Sequence, residues 1–146
     1  MRGIVPSAFV LVALTVVVHA VGLIAIIKLL TRPGTRVPTG LWPTAWVLIR
    51  MTWLLVLVHV AEIAVWAGFY YALGSMPDAG AALYFSGVTY TTVGYGDLVL
   101  PQQWRLLGPV EALTGILMCG LSTGFFFAVL SRLFGPLFGD IERKEP

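Results

Sequence analysis

Charge is scarce in this 146-residue chain: 11% of residues are Asp, Glu, Lys or Arg, against about 25% in an average soluble chain. With 58% hydrophobic residues and a mean hydropathy of +0.91, it lacks the polar surface that would keep a folded monomer in water. It equally lacks the low hydrophobicity that disorder requires. A lone cysteine, Cys119, excludes an intrachain disulfide and, inside an apolar run, reads as a small hydrophobe. The formal net charge of +2 is too small to argue for a nucleic acid partner. No nucleotide-binding loop or HExxH occurs, nor a plausible nucleophile–base pair, so the chain reads as no enzyme and implies no cofactor. Repeats and low-complexity tracts are absent too. What the sequence does have is apolar length. A spanning helix needs roughly 20 apolar residues, so the chain has room for three spans and their connections.

The first run extends from about Val5 to Leu30, broken by His19 and closed by Lys28, Arg32 and Arg36. Arg2 and the small residues near Ala20 resemble a cleavable leader. However, the run continues to Ile27 and its stronger positive flank lies after it, which fits a retained anchor with its N-terminus outside. Thr31 to Thr44, with Pro33, Pro38, Pro43, Gly34 and Gly40, is expected to be a loop. The second run covers about Ala45 to Leu73, flanked by Trp42 and Trp46 at one end and Phe69, Tyr70 and Tyr71 at the other, as aromatic belts are. A third covers about Leu106 to Phe134 and is expected to end at Gly135-Pro136, before a short charged tail. Seven of the nine basic residues fall on the side shared by the first loop and the tail. The positive-inside tendency makes that side cytoplasmic, so a multi-pass protein of the cell membrane is expected, with its C-terminus inside. The expected organisation is a helix with its loop (1–44), a second domain (45–134) and a tail (135–146).

Between the second and third runs lies Thr91-Thr92-Val93-Gly94-Tyr95-Gly96-Asp97. Glycine alone enters left-handed backbone without steric cost, and its alternation here lets successive carbonyls point the same way. Unpaired carbonyls are not tolerated facing lipid; they survive buried in protein or lining a water-filled path. Carbonyls facing a shared axis can replace the water shell of a monovalent cation.

Thr92-Val93-Gly94-Tyr95-Gly96 resembles the selectivity-filter signature of potassium channels. The resemblance spans about Ala45 to Phe134 and implies an all-α membrane protein: three spanning helices, a re-entrant pore helix over Ala79 to Tyr90, and a filter. It implies that K+, the permeant ion, is held by the carbonyls of Thr92, Val93, Gly94 and Tyr95 with the Thr92 hydroxyl, and that Gly96 completes the filter. Four copies are needed around one axis, so the implied assembly is a homotetramer in the lipid bilayer. Tyr95 favours potassium over sodium by resemblance, since related non-selective channels carry an acid there. A weakly selective cation channel and a non-conducting subunit that joins other pores are the competing readings. No span carries regularly spaced arginines, so no voltage sensor of the usual kind is expected.

The same resemblance places Thr91 and Asp97 at the ends of the filter and Tyr84 and Phe85 behind it. The best-known bacterial members have two tryptophans at the last two positions and a glutamate where this chain has Val88. Glu111 is a candidate to supply that carboxylate, or to bond Tyr90 or Trp104. Ser75 or Asp78 can cap the pore helix. Gly115 and Gly120 are candidate gating hinges or close-packing positions, and Phe127, with Phe125 and Phe126, a candidate constriction. Glu62 lies about 18 Å along the second helix from Arg50 at 1.5 Å per residue, deep enough to be costly unpaired. His59 is one turn away and His19 sits at comparable depth. A His19–Glu62 or His59–Glu62 contact that docks the first helix is one expectation; a neutral, locally bonded Glu62 and a metal site are the others.

Overall fold

The 27 residues Ile4–Leu30 form α1 in a computed structural model of the protein. The structure describes residues 3–31 and 40–142, with backbone alone at 41 and 133–142. Lys28 in the last turn of α1 faces the negative end of the helix dipole. The helix stops at Thr31, whose N–H returns to the Ile27 carbonyl at 2.9 Å.

Helix α2 spans Leu41–Ala72, so it begins one turn before the expected Ala45 and takes in the last four residues of the expected loop. Gly40, at φ +110°, turns the chain into it. Pro43 sits in the first turn, where its missing N–H has no intrahelical partner to lose. The rest of that loop, 32–39, lies outside the described residues. Gly74 (φ +62°) ends α2 as Ser75 N–H reaches back to the Tyr70 carbonyl at 3.0 Å.

Helix α3, Ala79–Tyr90, is capped by Asp78, whose carboxylate accepts the Ala81 N–H at 2.8 Å. Ser75 is not the cap. Twelve residues reach about 18 Å, too short to cross the hydrocarbon. Helix α4 runs from Leu107 to Glu142, straight through Gly135-Pro136, which corrects the expected end. A proline removes one backbone donor and bends a helix without having to stop it.

The chain is all helical among the described residues, and Ile4–Leu30, Trp42–Ala72 and Leu107–Arg132 are long and apolar enough to span. It is a multi-pass membrane protein. α1 docks on α2 and α4 through a stripe of Leu11, Thr15, His19 and Ile26. One end of the bundle is cored by Leu11, Trp66, Tyr70, Phe85 and Leu107; the other by Ile26, Met51 and Leu55, with Phe125 and Phe126 against them. Between the two lies a belt of buried polar side chains around the C-terminal end of α3.

Candidate functional site: the Thr91–Asp97 string and its supports

Left-handed backbone recurs at every second residue after α3: Thr92 at φ +64°, Gly94 at +51° and Gly96 at +78°. Two glycines adopt this freely; at Thr92 it costs about 1–2 kcal/mol. The string is tied to α3 by its N–H groups. Thr91 N–H reaches the Gly87 carbonyl at 3.1 Å, Thr92 N–H that of Thr89 at 2.9 Å and Gly94 N–H that of Val88 at 3.0 Å. The carbonyls of Thr91 to Asp97, by contrast, accept no hydrogen bond from the described residues. All seven residues are exposed in the single chain, Tyr95 at 73%.

Tyr84 donates to Asp97 Oδ2 at 2.8 Å, and Asp97 Oδ1 accepts the Leu98 N–H at 3.0 Å, which pins the outer end of the string. Phe85 is buried edge-on to Tyr70, with ring centres 5.3 Å apart. Val88 supports the string through its carbonyl.

Behind α3 stand two buried carboxylates. Glu111 on α4 accepts from the Ser86 hydroxyl and, at 2.8 Å, from Tyr70 on α2. It therefore reaches α3, but through neither Tyr90 nor Trp104. Tyr90 donates instead to Glu62. Glu62 Oε1 also lies 2.8 Å from His19 Nδ1 and its Oε2 3.0 Å from His59 Nδ1, so both expected histidine contacts occur together. His59 Nδ1 is 3.0 Å from the Tyr90 hydroxyl, and its Nε2 is 3.0 Å from Ser122 Oγ on α4. One turn along α1, Thr15 Oγ1 accepts the Trp66 indole N–H at 3.0 Å. Glu62, Glu111 and Tyr90 are almost completely buried.

The two glycines of α4 differ. A methyl group at Gly115 would collide with the Tyr90 carbonyl, so Gly115 is where α4 packs against the end of α3. At Gly120 it would meet nothing within 4 Å. Phe127 is 67% exposed.

Sequence reasoning passed over Tyr70 and Ser86 as partners of Glu111, Tyr90 as a partner of Glu62, and Ser122 as a partner of His59. A signal was present for two of them: Ala82, Ser86 and Tyr90 recur every fourth residue and share one face of α3.

Comparison with curated proteins and with solved structures finds no match. A family model described as "Ion channel" matches residues 58–132, just over half of the chain, taking in the C-terminal part of α2, all of α3, the string and the apolar part of α4. Helices, string and family match agree, and the chain belongs to the ion channel family.

Proposed function

We propose that the protein is a potassium-selective channel, a homotetramer whose four Thr92–Gly96 strings surround one axis and pass K+ down its electrochemical gradient. The observation that carries this reading is the run of unbonded carbonyls on a backbone left-handed at residues 92, 94 and 96. Such alternation leaves peptide oxygens free to face one way. A low-hydration path lined by them suits a cation that exchanges its water for carbonyl dipoles. The carbonyls of Thr92, Val93, Gly94 and Tyr95 hold the ion, and Asp97 raises cation concentration at the mouth. Four copies also answer the exposure of the string, since unpaired carbonyls in a membrane need protein or water around them. The tetramer has twelve spanning helices in the cell membrane, N-termini outside and C-termini cytoplasmic, on the charge distribution of the loops.

Purified protein in liposomes tests this. Rubidium uptake and a reversal potential that follows the potassium gradient in mixed potassium and sodium are expected, with four chains per particle by native mass spectrometry. Equal permeability to sodium would replace the reading by the weakly selective channel. No flux from the pure protein would replace it by the non-conducting subunit.

A further inference from the structure

Four donor atoms of different chemistry meet behind α3: Nδ1 of His19, Nδ1 of His59, a carboxylate oxygen of Glu62 and the Tyr90 hydroxyl. The two imidazole nitrogens and the carboxylate lie within 4.8 Å of one another, and His59 Nδ1 is 3.0 Å from the phenol. Ligand atoms around a tetrahedral zinc, with bonds of about 2.0–2.2 Å, are spaced about 3.3–3.6 Å apart. His19 Nδ1 lies 2.8 Å from Glu62 Oε1 and His59 Nδ1 3.0 Å from Glu62 Oε2, so the rings flank the carboxylate from both oxygens, and a shared ion needs these contacts to spread by about 0.3–0.8 Å. We infer that His19, His59 and Glu62, with Tyr90 at the fourth position, form a binding site for a divalent transition metal of the zinc type.

Ligand chemistry selects the ion. Two imidazoles, one carboxylate and one phenol suit a borderline ion rather than calcium or magnesium, which take sets of oxygens. An outer shell is in place at His59, where Ser122 Oγ stands 3.0 Å from Nε2. When Nδ1 turns to the metal its proton moves to Nε2, which then donates a hydrogen bond to Ser122 Oγ, the outer-shell partner that ligating imidazoles commonly have; His19 Nε2 is buried with no such partner among the described residues. Charge balances as well: a carboxylate and, once its proton leaves to solvent, a phenolate offset the two positive charges, so no net charge remains in the apolar surroundings. His59, with its side chain 19% exposed, is the open edge by which an ion is admitted. The site joins α1, α2 and α3 at a residue two positions before Thr92, so a bound ion would fasten the accessory helix to the base of the string.

The test uses the full-length protein in detergent, titrated with Co2+, whose visible absorption reports its coordination. The expected result is the intense spectrum of four-coordinate cobalt, saturating at one ion per chain and displaced by Zn2+. Ser122→Ala, which leaves all four ligands, is expected to weaken binding about 10–100-fold, and His19→Gln to abolish the spectrum. Failure of wild-type protein to bind Co2+ or Zn2+ in excess, by spectrum and by elemental analysis after dialysis, overturns the site. So does an unchanged cobalt spectrum in His19→Gln. Because the wild-type titration decides alone, poor folding of a variant does not shield the proposal.

Discussion

On one side of α3's C-terminal end, the chain presents exposed main chain shaped by residues of left-handed conformation; on the other, Ser86 and Tyr90 are gripped by buried carboxylates of α4 and α2. The front is built from backbone and is local in sequence. The back is built from side chains brought together over separations of 25 to 43 residues. A string without carbonyl partners cannot hold its own shape, so its rigidity is borrowed from α3, and α3 is positioned from behind. On the proposed reading, the front sets what passes, and the back sets how firmly the front is held.

That division is broken most directly at Gly94. With φ at +51°, an alanine there is strained although its methyl group meets nothing within 4 Å. The local cost, about 1 kcal/mol or more, is too small to unfold the helices, so Gly94→Ala is expected to abolish rubidium uptake while helix content and melting stay near wild type. A large drop in thermal stability would show that the string also carries the fold.

Substitutions at the back are expected to do the reverse. Glu62→Ala strips Tyr90, His19 and His59 of their shared partner. It should lower stability by several kcal/mol, since each buried polar partner left unsatisfied costs about 1–3 kcal/mol. It should also loosen the proposed tetramer in detergent and leave the proposed potassium preference intact. Glu111→Ala frees two buried hydroxyls, of Ser86 and Tyr70, at about 1–3 kcal/mol each, and is expected to follow the same pattern. Glu111→Gln keeps one acceptor and serves as the finer probe: changed open-state lifetimes with unchanged selectivity would tie the back to filter stability. Identical lifetimes in both forms across pH would separate them.

The front was legible in the sequence because its determinants are contiguous: glycine at 94 and 96 announces the backbone alternation. The spans were legible because a bilayer demands length and apolarity and little else. Element ends were less so. Pro43 and Pro136 read as breaks, yet the first sits where a helix has a spare donor position and the second is carried within α4. The back was legible only in part. His59 and Glu62 share a helix face at a spacing of three, and matched depth suggested His19. The partners of Glu111 could not be read, because its choice between Ser86 and Tyr90 depends on how α2 and α4 flank α3, and Glu62 already holds Tyr90. Thr92 is a further case: nothing local tells a threonine to take positive φ, and the context that imposes it is the pair of bonds from residues 92 and 94 back into α3.

The glycines of α4 sharpen the comparison at smaller scale. Gly115→Ala forces a methyl group onto the Tyr90 carbonyl and is expected to cost about 1–3 kcal/mol as overpacking, read as a lowered melting temperature. Gly120→Ala has open space within the chain and should change stability by about 0.5 kcal/mol or less. If Gly120 is the hinge, its substitution shifts open probability with melting unchanged. If melting of the tetramer falls equally for both, Gly120 is a packing position between chains.

The smallest effect belongs to the bond between two side chains at the outer end of the front, Tyr84 to Asp97. Tyr84 is exposed, and its bond to Asp97 holds the phenol above its ordinary value, with the charge of Asp97 adding to this. A phenol whose folded value is raised contributes fully below its ordinary range near 10, and loses that contribution as pH climbs through the raised value. Tyr84→Phe should therefore shorten filter open lifetimes slightly at neutral pH, with ion preference and melting unchanged. The gap between variant and wild type should close in strongly alkaline solution as wild-type Tyr84 ionises and releases Asp97. A gap that persists there would mean that Tyr84 braces the string through its ring, by packing, and the outer end of the string would then be held as its inner end is, from the side chains behind.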